Sequence, residues 1–145
     1  MRKLAISLGA SFALMPVLVF GPLGAEENAP IVVRVEDARG PVGRPAELVA
    51  RLSIKEGYRF IEPQPRGNRV IELSSADGGV SFARRVFRGR IEGDSIVFRL
   101  EVTPIRPGAH PINGVFRVSY VTDQGDSWHL RHVSLPLVAT VTGTE

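Results

Sequence analysis

The sequence predicts an all-β fold, an antiparallel immunoglobulin-like sandwich of seven or eight short strands, on three observations. Apolar and polar residues alternate with a period of two in several segments after residue 30, as in strands with one buried face. The 15 glycines and 11 prolines fall mostly between these segments, where turns are expected. No segment after residue 25 keeps helical spacing over three turns. A small β-barrel is the alternative architecture that these patterns leave open.

The clearest strand patterns lie in residues 46–55 and 95–102, where four apolar residues share one face and polar residues share the other. Shorter patterns predict further strands, which cover residues 31–36, 69–74, 80–87, 115–121 and 128–141. Because successive side chains of a strand point to opposite faces, the alternation also predicts which residues face the core. These core residues are Ile54, Ile96, Phe98, Leu100, Phe116 and Val118.

The first 25 residues have the three regions of a secretory signal peptide. Arg2 and Lys3 form a positive start, an almost wholly apolar or small run follows, and Ala25 suits the position before a cleavage site. We therefore expect residues 1–25 to be removed and residues 26–145 to form one exported domain. A retained membrane anchor is the alternative, since an apolar run of about 17 residues is near the lower limit for spanning a bilayer.

Composition excludes several classes of function. Removal of the signal peptide takes away Arg2 and Lys3 but no acidic residue, so the formal net charge falls from +3 to +1. This balance does not indicate a nucleic-acid partner. The chain has no cysteine, which excludes thiol nucleophiles, redox pairs, cysteine metal ligands and disulfides. The domain must therefore be stable through packing alone, which about 120 residues can provide.

Two stretches resemble the N-terminal periplasmic domain of DsbD-type thiol:disulfide interchange proteins. The first includes residues 46–55, Glu56-Gly57-Tyr58-Arg59-Phe60 and residues 69–73, and the second runs from Phe116 to Trp128. The resemblance implies an immunoglobulin-like sandwich over residues 45–140. That family transfers electrons through a cysteine pair near the second stretch. Because this chain has no cysteine, the resemblance implies the fold and a docking role without redox activity.

Two segments contain candidate partner-binding residues. Residues 58–68 are stiffened by prolines and contain large rings, which suit recognition because little entropy is lost on docking. Alternatively, Tyr58 and Phe60 close the end of the core. Residues 84–90 contain four arginines, which suit an acidic partner, anionic lipid headgroups or a polyanion. Alternatively, these charges protect a solvated edge strand against aggregation. Alternation predicts that Arg85 faces away from the other three arginines. The candidates are Tyr58, Arg59, Phe60, Arg66, Arg84 and Arg88.

The three histidines, His110, His129 and His132, are candidate metal ligands. His129 and His132 are three residues apart, so a strand places them on opposite faces, and a metal-handling protein would have to use His110 with His129. Asp123 and Asp126 flank a glycine in a turn, but a calcium site needs several more oxygen ligands in fixed register. No serine lies in a nucleophile elbow.

The sequence therefore predicts a non-enzymatic periplasmic or secreted domain that has no cofactor and no catalytic residue. We expect it to bind another periplasmic or membrane protein, through loops or an edge strand, and to have no stable membrane span after cleavage. Nucleic acid is not an expected partner. The alternatives are a cysteine-free relative of the thiol:disulfide interchange domain with a docking role, and a small periplasmic metal-handling protein.

Overall fold

The computed structural model describes residues 30–63, 65, 67–122 and 130–145, in which eleven strand segments form two sheets. The first sheet contains β1 (Ile31–Glu36), β3 (Ala46–Ile54), β6 (Val80–Phe82), β8 (Arg90–Glu92) and β9 (Ser95–Pro104). The second contains β2 (Ala38–Pro41), β4 (Tyr58–Ile61), β5 (Arg69–Ser75), β7 (Phe87–Arg88), β10 (Gly108–Thr122) and β11 (Leu130–Thr144). The expected signal peptide lies outside the described residues and stays a prediction.

Three strands of the sandwich are interrupted, so the eleven segments correspond to seven strands. The segments β1 and β2 form one strand that passes from the first sheet to the second. Both β4 and β5 pair with β10, as two halves of another strand. The third consists of β6, β7 and β8, which leaves the first sheet, pairs with β5 in the second, and returns.

The strand order confirms the immunoglobulin-like sandwich and decides against a closed barrel. In the first sheet the order is β1, β3, β9, followed by β6 and β8 along the other side of β9. In the second sheet β10 lies between β11 and the β4–β5 strand. Counting each interrupted strand once, these are the four-stranded and three-stranded sheets of a constant-type immunoglobulin domain. No helix long and apolar enough to cross a membrane occurs in the part of the chain that the structure describes.

The first strand changes sheets at Asp37. Its β1 half pairs antiparallel with β3, whereas its β2 half pairs parallel with the end of β11, from Val141 to Thr144. At the crossing, the backbone N–H of Thr140 donates a hydrogen bond of 2.9 Å to Oδ1 of Asp37. The carboxylate therefore satisfies a backbone donor just before the β2 pairing begins.

The core lies between the two sheets, and the predicted core residues are confirmed, since all six are at most 7% exposed. Phe98 of the first sheet meets Phe116 of the second with ring centroids 5.1 Å apart and planes tilted by 51°. Aromatic pairs prefer such tilted arrangements. A Cβ at Gly89 would lie 2.7 Å from the Phe98 ring and 2.4 Å from Ile96, so glycine is required there.

The strand predicted over residues 80–87 differs most from the structure. It ends at Phe82, and residues 83–86 form an exposed connection between the sheets before Phe87 enters the core from the second sheet. The crossing breaks the alternation, because a side chain points inward from opposite directions in the two sheets. The sequence pattern therefore predicted one continuous strand, whereas the chain forms the three short segments β6, β7 and β8.

Replacing Phe98 with Ala is expected to lower the free energy of unfolding by about 3–5 kcal/mol, because the cavity lies at the contact between the sheets. Urea denaturation monitored by circular dichroism measures this loss. The exposed Val138 provides the control, since Val138→Ala should change the stability by less than about 0.5 kcal/mol. A loss below about 1 kcal/mol for Phe98→Ala would contradict the central position of this ring.

Candidate anion-binding face

The break between β4 and β5 is closed by a side chain. Ser119 of β10 pairs with Ile61 of β4, and Arg117 pairs with Arg69 of β5. Asn68, which is 1% exposed, lies at the break. Its Oδ1 accepts a hydrogen bond of 3.2 Å from the backbone N–H of Ser119, and its Nδ2 donates one of 3.2 Å to the carbonyl of Ile61. One amide side chain thus satisfies a backbone carbonyl of β4 and a backbone N–H of β10.

The aromatic part of the first predicted segment is a strand and not a loop. Phe60 is buried in the core, which corrects its assignment as a partner-binding residue; pairing with Tyr120 in β10 turns its ring inward. Tyr58 stays exposed at the strand end and meets the Tyr120 ring edge-on, with centroids 5.9 Å apart. Arg59 is exposed, and Arg66 lies outside the described residues.

The four arginines of the second predicted segment are all exposed. They lie where the third interrupted strand crosses between the sheets. The alternation that separated Arg85 from Arg84, Arg88 and Arg90 does not apply, because residues 83–86 are not a strand. Arg84 and Arg85 line one surface depression, and Arg88 and Arg90 line another.

Arg88, Arg69 and Arg117 form a row across three adjacent strands, which we call the arginine row. Arg69 lies directly opposite Arg88 of β7 on one side and directly opposite Arg117 of β10 on the other. Their chain neighbours Val70, Phe87 and Phe116 are buried, so the arginines lie on the outer face of the second sheet. Like charges directly opposite each other destabilise a sheet. The row is therefore a feature that folding alone does not favour.

One carboxylate partly neutralises the row. Oε1 of Glu72 lies 3.3 Å from Nη2 of Arg117 in an exposed ion pair. Among the described residues, no ion pair includes Arg69 or Arg88. These two directly opposite arginines therefore leave an excess of positive charge on the face.

A surface depression of about 270 Å³ is lined by two arginines of the row, Arg69 and Arg117. Within it, Oγ of Ser119 and Nδ1 of His132 are 2.7 Å apart. Nε of Arg69 is buried and has no hydrogen-bond partner among the described residues. A buried unpaired donor costs about 1–3 kcal/mol. The depression is lined by Arg69, Arg117, Val118, Ser119, His132, Val133 and Ser134.

These residues can bind an anion. Guanidinium groups present several N–H donors in a planar fork that matches carboxylate and phosphate oxygens. The sequence did not predict a role in this site for Arg69, Arg117, Ser119 or His132. Alternation alone does predict that Arg117 and Phe116 point to opposite faces of their strand. The missing information was the register between strands, which Asn68 sets and which no residue pattern displays.

His110 lies near the other end of β10 and is held by acceptors. Its Nδ1 is 2.7 Å from Oδ2 of Asp77, and its Nε2 is 2.9 Å from the carbonyl oxygen of Arg106 and 3.1 Å from that of Pro107. Both ring nitrogens must donate to satisfy these contacts, so the geometry favours the protonated ring. The hydrogen bond with Asp77 raises the pKa of His110 and lowers the pKa of Asp77.

This environment leaves His110 without a free ring nitrogen for a metal ion. A Cβ at Gly79 would lie 2.2 Å from the ring, so the surroundings are closely packed as well. Its suggested co-ligand His129, and the turn residues Asp123 and Asp126, lie outside the described residues. Within the described ranges, no group of three or more potential metal-binding side chains occurs.

No protein-family model and no curated protein matches this chain. Among solved structures, it is similar to AggA, the major subunit of aggregative adherence fimbriae type I from Escherichia coli. The two are 14% identical, the match covers 78% of this chain and 95% of that chain, and the TM-score is 0.36. A match at this level does not identify a function. The resemblance to the thiol:disulfide interchange domain stays a prediction.

The His110–Asp77 pair predicts a stability maximum between about pH 4 and pH 6.5. The raised pKa of His110 contributes stability below the ordinary value of 6.5, which is lost as the pH rises through the folded value. The lowered pKa of Asp77 contributes stability above 3.8, which is lost as the pH falls through its folded value. Urea denaturation between pH 3 and pH 9 measures both limbs.

The variant His110→Gln should lose the alkaline decline in stability, whereas His132→Gln should keep it. Both variants remove one histidine, so the comparison isolates the pair with Asp77. An unchanged alkaline decline in His110→Gln would show that another group causes it.

Proposed function

We propose that the chain is an exported, non-enzymatic domain that binds an anionic segment of another envelope protein through the arginine row. The observation that carries this proposal is the opposition of three arginines, Arg88, Arg69 and Arg117, next to a depression lined by Arg69 and Arg117, with Nε of Arg69 buried and without a hydrogen-bond partner among the described residues. Such opposition costs stability, and the charge of Arg69 and Arg88 is not compensated by an ion pair among the described residues. An anionic ligand would remove that repulsion.

The outer face of the first sheet also contains one pair of directly opposite arginines, in β1 and β3, but acidic residues such as Glu36 are exposed on that face as well. On the outer face of the first sheet, Arg99 is paired with Glu47, with Nη1 and Oε1 3.1 Å apart. With the signal peptide removed, the formal net charge is +1, reduced from +3 by the loss of Arg2 and Lys3. A nearly neutral protein with one basic face suits a partner that has a short acidic segment, whereas a long polyanion favours a strongly basic domain.

Export is part of this proposal and is supported by the tripartite N-terminus. Intact-protein mass spectrometry of material from the cell envelope should show a chain that begins near Glu26. Recovery of a membrane-bound chain that begins at Met1 would instead support the retained anchor.

Hexaglutamate is a suitable probe for the arginine row. The variant Arg69→Gln/Arg88→Gln should weaken its binding at least about tenfold, which corresponds to one close charge pair, and should reduce the salt dependence of binding. Fluorescence anisotropy of labelled peptide measures both effects, in protein purified from the cell envelope. Thermal melting of each variant confirms that it is folded.

The first sheet offers a matched control. Arg34 and Arg51 are also exposed and directly opposite each other, but they lie on the outer face of β1 and β3. Arg34→Gln/Arg51→Gln removes the same net charge and should leave hexaglutamate binding nearly unchanged. Equal weakening by the two double variants would show that binding follows net charge and not the arginine row.

A further inference from the structure

The edge of β5 next to the arginine row is open. The segment β7 accompanies β5 only at Arg69 and Val70, because the chain then crosses to the first sheet. From Ile71 to Ser74, no described strand pairs with β5 on that side. An open edge presents unpaired backbone N–H and C=O groups, to which an extended peptide can add as a further strand.

A crevice of about 510 Å³ follows this open edge. Its apolar lining includes Leu73 and Phe82, which pack partly against the core, and Val86, which is 50% exposed. Its charged lining comes from Glu72, Arg84 and Arg85. The crevice therefore combines a seat for an apolar side chain with cations for an acidic one.

A β-bulge shapes the crevice. Ser74 pairs with Asn113 and Ile71 pairs with Val115, so β5 contains one residue more than β10 at this point. Glu72 has a φ of +55°, the only positive value among the described residues other than glycine. Three consecutive residues, Ile71 to Leu73, line the crevice, whereas a regular strand would alternate them between faces.

The long edge of β11 is less suitable for strand addition. Because the N–H of Ser119 points to Asn68, the backbone groups of Ser119 and, by alternation, Val115 point away from β11. Pro136 lies opposite Val115, so its nitrogen faces the open edge of β11, where proline has no N–H to donate. The β5 edge contains no proline from Arg69 to Ser75.

We propose that the anionic partner binds by adding an extended segment to the open edge of β5. An apolar side chain of that segment lies between Leu73, Phe82 and Val86, and flanking carboxylates contact Arg84 and Arg85. This inference rests on the proposed function, because it specifies how the acidic segment reaches the arginine row. It requires a partner that alternates acidic and apolar residues.

The test uses three peptides of the sequence Glu-Val-Glu-Leu-Glu-Val-Glu, capped at both ends. One is unmodified, and each of the other two is N-methylated on the backbone amides along one edge, so that the side chains stay the same while strand pairing on that edge is lost. We expect N-methylation on one edge to weaken binding at least about tenfold, since several backbone hydrogen bonds are lost. Binding of the unmodified peptide should also slow amide hydrogen exchange between residues 71 and 75.

Val86→Ser tests the apolar seat, and Ile105→Ser is its control, since these two side chains are 50% and 48% exposed. Val86→Ser should weaken the alternating peptide several-fold and leave hexaglutamate unaffected, whereas Ile105→Ser should change neither. Both positions are on the surface, so both variants should fold.

The outcomes separate this inference from the proposed function. Suppose that Arg69→Gln/Arg88→Gln weakens the binding of both hexaglutamate and the alternating peptide, whereas N-methylation and Val86→Ser have no effect. Strand addition is then wrong, and the arginine row still binds anions. If neither peptide binds, both proposals fail. Binding of decanoate together with failure of the alternating peptide would overturn strand addition and identify a small amphipathic anion as the occupant of the crevice.

Discussion

The two hydrogen bonds of Asn68 set the register on which the candidate site depends. They replace the ladder where β4 and β5 separate, and they hold both halves of that strand against β10. With this register, Arg69 lies opposite Arg117, and the short β7 then brings Arg88 opposite Arg69. A shift of one residue would turn Arg69 inward and Val70 outward. The buried amide of Asn68 therefore positions the arginine row in addition to satisfying two backbone groups.

The sequence predicted the elements that obey alternation over their whole length. The faces of β3 and β9 follow from the repeat of apolar residues, and Phe98 and Phe116 are buried as expected. Prediction was wrong where a strand changes sheets or pairs for only a few residues. The inward position of Phe60 depends on pairing with β10, and the exposed crossing before Phe87 depends on the close approach permitted by Gly89.

The candidate site depends on contacts that are distant in sequence, which explains why it was found only in part. Arg88 was singled out because it belongs to a dense cluster of arginines along the chain. Arg69 and Arg117 are isolated in the sequence and become neighbours only through the ladder. Phe60 was wrongly assigned to partner binding for a related reason. A ring close to prolines in the sequence is expected to be exposed until the pairing of its strand is known.

The contrast between two groups of charges supports a binding role for the arginine row. His110 is buried, and each of its ring nitrogens faces an acceptor, so this charge serves stability. The row lies on an open face, where solvent lowers the cost of repulsion but does not remove it. The domain has no disulfide, so the packing between its sheets must offset that cost. Substitution of Arg69 by a neutral residue would remove the repulsion directly, and it would also remove the buried unpaired Nε. An increase in stability on such substitution, together with a loss of anion binding, is the behaviour expected of a site maintained for a ligand.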